Sequence, residues 1–110
     1  MSCAQQTRAV ARHKIRVTHM RSIEYFELAS ASGKLSDQFY SALTRWTTGG
    51  EDNKLRIECG HLARQYGAAL EAQRTYLESL ESSEDVERAL NITRTYIYLL
   101  EKDFNNLTKH

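Results

Sequence analysis

Residues 52–80 read DNKLRIECGHLARQYGAALEAQRTYLESL, and the fold turns on how that stretch is read. Leu55, Cys59, Leu62, Tyr66, Ala69, Gln73, Tyr76 and Leu80 follow one another in alternating steps of four and three. At about 3.6 residues per turn, positions so spaced stay on one side of a helix and form a heptad seam. Ala63, Leu70 and Leu77 make a second stripe beside the first, seven residues apart. The spacing therefore predicts a helix over about 52–80 with apolar surface for two neighbours, which makes it the central helix of the domain.

Working toward the C-terminus, Ser82-Ser83-Glu84-Asp85 supplies a turn and a cap. Acids at Glu84, Asp85 and Glu87 complement the positive end of a helix dipole. Val86, Leu90, Thr93, Ile97, Leu100, Phe104 and Leu107 then repeat the heptad steps, predicting a helix over about 84–108. Two matched seams joined by a short turn predict an antiparallel heptad hairpin. Gln73 and Thr93 are the polar members of these seams, and polar seam residues fix register or pairing at some cost in stability.

Toward the N-terminus, Thr47-Thr48-Gly49-Gly50-Glu51-Asp52-Asn53 reads as a loop. Before it, Phe39, Leu43 and Trp46 share one face of a short helix over about 37–47, with Ser36 as its cap. Ser30-Ala31-Ser32-Gly33 reads as a stop, because glycine takes the left-handed conformation that closes a helix. A first helix over about 4–31 precedes it, carrying Val10, Val17, Met20, Leu28 and Ala31 on one stripe and Ile15, His19, Ile23 and Phe26 on the next. The expected fold is all-α: one domain over 1–110, a bundle of three long helices and one short connecting helix. Its expected core includes Trp46, Leu62, Tyr66, Leu90, Ile97 and Leu100.

Composition agrees with that class. The chain has no proline and 41% hydrophobic residues, which suits long helices, since proline costs about 3 kcal/mol inside one. Cys3 and Cys59 match no metal or redox spacing, and no apolar run reaches the length of a signal peptide or a membrane span. The expected setting is intracellular, cytoplasmic by default. The acid-free, basic start also has the composition of a mitochondrial presequence, which keeps mitochondrial import open as an alternative.

Charge is uneven. Residues 1–23 carry Arg8, Arg12, Lys14, Arg16 and Arg21 with no acid, a charge of +5, and the remainder carries −4. Arg8, Arg12 and Arg16 stand four apart on one helical face continued by His19. With Arg21 they are candidates for binding an acidic protein, nucleic acid or an anionic surface. The plain alternative is that they complement the chain's own acidic tip at Glu78, Glu81, Glu84, Asp85 and Glu87.

Chemistry-bearing clusters are sparse. Glu58-x-x-His61 has the spacing by which one helix of a di-iron bundle supplies two ligands, but the motif has no second copy. Cys59 neighbours it, yet adjacent helical residues point about 100° apart and Cys59 lies on the seam, so it reads as a core thiol. Tyr66 and Tyr76 fall on a seam as well, while Tyr25, Tyr40, Tyr96 and Tyr98 are scattered over the helices. The residues thus point to a non-enzymatic protein–protein interaction module of adaptor, chaperone or inhibitor type. It would need no cofactor or metal and would act through helix faces on another protein or on its own copy. The alternative is a binder of nucleic acid or an anionic surface through the basic first helix.

Overall fold

The computed structural model describes residues 23–49 and 52–108, and among them it is an all-helical bundle of three helices: α1 Ile23–Thr48, α2 Asn53–Glu78 and α3 Glu84–Thr108. The expected break between a first helix and a short connector does not occur. α1 runs straight through Gly33 and Ser36. The reason lies in a seam the apparent stop signal hides: Tyr25, Leu28, Ser32, Leu35, Phe39, Ala42 and Trp46 continue in steps of three and four across the supposed boundary. Of these, Ser32, Phe39, Ala42 and Trp46 are buried, and their packing outweighs the roughly 1 kcal/mol a mid-helix glycine costs. Ile23, Phe26 and Ala31, expected on the apolar face, are exposed instead, Ile23 at 76% and Phe26 at 68%. Residues 4–22 of the expected first helix lie outside the described residues.

Two glycines of α1 and its turn have opposite roles. A β-carbon built on Gly33 meets nothing within 4 Å, whereas one on Gly49 would sit 2.7 Å from the Arg45 carbonyl oxygen. Gly49 therefore belongs to the close turn that ends α1. Gly33 is merely a costly residue in a helix, and Gly33→Ala is expected to raise stability by about 0.5–1 kcal/mol. Urea unfolding checks this, and a loss of stability would mean that α1 ends at residue 33 after all.

The other boundaries follow from local chemistry. Asp52 caps α2, its side chain accepting a hydrogen bond from the Lys54 amide at 3.1 Å. Ser83 caps α3 by accepting from the Val86 amide at 3.2 Å. Both caps satisfy amides that the first turn of a helix otherwise leaves without partners.

α2 packs against both α1 and α3. Along α1 and α2 the partners are Tyr25 with Tyr76, Ser32 with Gln73, Phe39 with Tyr66 and Arg45 with Glu58. Along α2 and α3 they are Arg56 with Leu107, Gln73 with Thr93 and Glu78 with Arg94. The core forms two clusters. The larger holds Phe39, Trp46, Cys59, Tyr66, Leu70 and Leu100, with Leu62 and Ile97 partly buried against it. The smaller holds Tyr76, Leu77, Leu80, Val86 and Leu90 near the α2–α3 turn.

Candidate protein-interaction surface

Three polar side chains cross the interior and tie all three helices together. The Ser32 hydroxyl of α1 donates to Gln73 Oε1 of α2 at 2.7 Å, and Gln73 Nε2 donates to Thr93 Oγ1 of α3 at 3.0 Å. The Thr93 hydroxyl in turn donates to the Ala89 carbonyl at 2.9 Å. Gln73 is 7% exposed and Thr93 0%, so each bond replaces water that these groups cannot reach. Such a relay is satisfied in one register only, because sliding one helix by a turn moves every partner out of reach. The two polar seam residues noted in the sequence thus bond directly to each other, with Ser32 as a third member.

A second bridge links α1 to α3, where the Tyr40 hydroxyl donates to Asp103 Oδ2 at 2.7 Å. Burial first, then this bond, raises the Tyr40 phenol above its ordinary 10.0. A raised folded value means the neutral phenol is favoured in the fold. Its stabilisation is complete below the unfolded value of 10.0 and is lost as pH rises above that. Tyr40→Phe is expected to cost about 1 kcal/mol at neutral pH. Its deficit against the wild type should shrink above about pH 10, which chemical denaturation at a series of pH values will show.

α3 carries a second heptad stripe, half-buried at its two ends, where Ala89 packs against the smaller core cluster and Asp103 holds Tyr40, and exposed between them. Ala89, Ile92, Tyr96, Leu99 and Asp103 follow in steps of three and four, beside the buried seam. Ile92 and Tyr96 are each 48% exposed and Leu99 41%. Large apolar side chains scattered singly on a surface mean little, but a row at helix-pairing spacing is a candidate docking face. At its start a cavity of about 280 Å³ opens between Tyr25 and α3, reaching down to Gln73 past Ala89 and Ile92. The stripe lies outside the two seams that the sequence marks, although its spacing is as regular as theirs.

A trough lies along the outer side of α2 and α3. It comprises two adjoining cavities of about 170 and 210 Å³ that share Arg64 and Phe104. Ile57, Gly60 and Leu107 line one, and Ala63, Gly67 and Leu100 the other, with Arg56 and His61 at the rim. Arg56 also donates to the Leu107 carbonyl at 3.4 Å, which caps the end of α3.

The remaining sequence candidates fall as follows. Arg8, Arg12, Arg16, His19 and Arg21 lie outside the described residues. Glu58 faces Arg45 at 3.6 Å, and among the described residues no three His, Cys, Asp or Glu side chains converge as a metal site would require. Cys59 is 0% exposed, and its thiol is pushed up by burial first and then by Glu58, with Arg45 opposing. A raised thiol is a poor nucleophile at neutral pH. Three acids of the tip have basic partners within the bundle: Arg74 of α2 and Arg94 of α3 both reach Glu78, and Arg88 reaches Glu84 and Asp85 on its own helix. All of these pairs are exposed and contribute at most about 1 kcal/mol each.

Among the described residues no helix is long and apolar enough to cross a membrane. No protein family, no curated protein and no solved structure matches the chain.

Proposed function

We propose that the chain is a non-enzymatic interaction module that binds protein through the outer face of α3. The observation that carries this reading is the exposed heptad row Ile92, Tyr96 and Leu99, which repeats on the surface the spacing that buries the seam of α2 and α3. The pairings along α2 and α3 fit an antiparallel hairpin with heptad seams, a rigid frame for presenting such a row. The Ser32–Gln73–Thr93 relay supports the same role, since a fixed register gives a fixed surface and lowers the ordering cost of binding.

Ile92→Glu with Leu99→Glu tests it. Both positions are exposed, so circular dichroism and the unfolding midpoint should stay close to wild type. Association, whether with a captured partner or with another copy, should be lost. If wild type and the double variant associate equally in light scattering and on an affinity column, α3 is not the binding face.

A second reading, binding of nucleic acid or an anionic surface, rests on the +5 charge of residues 1–23. Its affinity must fall steeply with salt, and complexes that survive about 0.5 M salt would exclude it.

A further inference from the structure

We propose that the trough between α2 and α3 binds a single-chain amphiphile with an anionic head, a medium-chain fatty carboxylate. Its head lies over Gly60 between Arg56 and Arg64, and its tail runs toward Gly67. The site shares no residue with the row Ile92, Tyr96 and Leu99 and stands independently of it.

The head is assigned by charge. Among the described residues Arg45, Arg74, Arg88 and Arg94 each lie within 3.6 Å of a carboxylate oxygen, whereas Arg56 and Arg64 have no such partner. These two are the arginines that line the trough. Local sequence explains the lack. Asp52, one turn before Arg56, accepts from the Lys54 amide instead, and Gly60, His61, Gly67 and Ala68, the residues one turn from Arg64, include no acid. Arg56, Gly60 and Arg64 stand four apart and so share one face of α2. A β-carbon on Gly60 meets nothing within 4 Å, which leaves the space between the two arginine stems open. Arg56 donates through Nε to the Leu107 carbonyl, which holds its guanidinium at the end of the trough and keeps the terminal N–H groups for a second acceptor. A carboxylate is such an acceptor, and its bonds to guanidinium groups are charge-assisted.

The tail is assigned by shape and by the direction of polarity. The cavities of about 170 and 210 Å³ adjoin through Arg64 and Phe104, and an apolar cavity of about 150 Å³ is already enough to hold a benzene ring. From Arg56 to Gly67 the trough follows α2 for about 16 Å, the reach of an extended medium-length alkyl chain. Arg56 and His61 belong to the first cavity alone and Glu101 to the second alone. The second cavity is otherwise walled by Ala63, Gly67, Leu100 and Phe104 beside Arg64. An anion is therefore drawn to one end and turned away from the other, while hydrocarbon fits the far end. The glycines agree with this reading. A mid-helix glycine lowers helix stability relative to alanine, and no close packing requires either one, since a β-carbon on Gly67 would meet Leu100 Cδ2 at an ordinary 3.5 Å. What Gly60 and Gly67 do provide is an open trough.

Titration of the labelled full chain, followed by amide NMR, tests the site with three probes: decanoate below its micelle concentration, decanol, which keeps the tail without the charge, and acetate, which keeps the head without the tail. Decanoate should bind saturably, one per chain, with shifts over residues 56–67 and 100–108. Decanol should bind about tenfold or more weakly, the loss expected for one charge-assisted hydrogen bond, and acetate should not saturate. Arg56→Gln with Arg64→Gln should weaken decanoate by about tenfold or more and leave decanol unchanged. Gly60→Leu, which replaces glycine by a better helix former and fills the trough, should keep the fold and block both amphiphiles. Decanol binding as tightly as decanoate, or decanoate binding unchanged in the double arginine variant, would overturn the anionic site. No saturation by either amphiphile up to about 1 mM, or shifts centred on Ile92, Tyr96 and Leu99, would overturn the trough as the place of binding.

Discussion

Phe39→Ala should lower the unfolding free energy by about 3–5 kcal/mol, the range for emptying a phenylalanine site in a packed core. Phe39 is 0% exposed. Its ring meets Tyr40 edge-on at 4.8 Å and Tyr66 of α2 at 6.4 Å, so the substitution forfeits transfer energy and aromatic contacts together. The site lies at the middle of α1, flanked by buried Ala42 and Trp46, and cannot collapse without moving the whole helix. Against a typical total of about 5–15 kcal/mol, such a loss leaves little stability. Phe39→Leu keeps most of the volume and should cost far less. Guanidinium unfolding of the two variants checks the pair of values, and a cost under about 1 kcal/mol for Phe39→Ala would mean that Phe39 is not packed between α1 and α2.

The next largest effect is expected at the centre of the polar relay, and it depends on pH. Gln73→Glu preserves shape but exchanges an amide that both accepts and donates for a carboxylate that only accepts. Ionised, the new side chain loses its donation to Thr93 and carries a charge into a position now 7% exposed. The expected cost at pH 7 is about 3 kcal/mol, since a buried charge without a counter-ion costs several. Protonated, the carboxylic acid donates to Thr93 and accepts from Ser32, as glutamine does. The folded state therefore favours the protonated form and raises the group's pKa above its unfolded value of about 4.3. With a raised folded value, the stabilisation is present below about pH 4 and is lost as pH climbs through the folded pKa. The difference between variant and wild type, measured at each pH by denaturant unfolding, should be small near pH 4 and large at pH 7. A deficit that does not change with pH would show that position 73 reaches water. Gln73→Leu, which removes the relay without adding charge, should cost about 1 kcal/mol or less, because Ser32 and Thr93 keep bonds to the Ala29 and Ala89 carbonyls on their own helices.

Much of the bundle could be read from periodicity alone. The second and third helices begin within a residue or so of the positions their seams and caps indicate, because a sustained heptad row flanked by Asp52 or Ser83 has few other solutions. α1 departs from its local signals for an equally physical reason. Gly33 and Ser36 are local signals for a stop and a start, and local signals are weaker than a seam that buries Ser32, Phe39, Ala42 and Trp46 across them. Read as one row from Tyr25 to Trp46, the same residues give the continuous helix. Tertiary packing decides in such a case, and the glycine is carried at a modest cost.

The candidate surface was less legible. Gln73 and Thr93 stand out as polar residues in apolar rows, but their mutual bond, and the part of Ser32 in it, depend on the relative register of three helices. No single helix encodes that register by itself. The row Ala89, Ile92, Tyr96, Leu99 and Asp103 has a spacing as regular as the buried seam it accompanies. Which of two adjacent stripes faces the core is settled only when α2 takes one of them. The surplus stripe is then left largely on the surface.

Amide NMR spectra of the labelled chain, over a wide range of protein concentration and with captured partner added, test most directly whether α3 is the binding face. The expected result is shifts on association confined to residues 85–103 and the neighbouring start of α1, strongest near Ile92, Tyr96 and Leu99. Spectra that change under neither condition, or shifts centred instead on the trough of Arg56, Arg64 and Phe104, would contradict it.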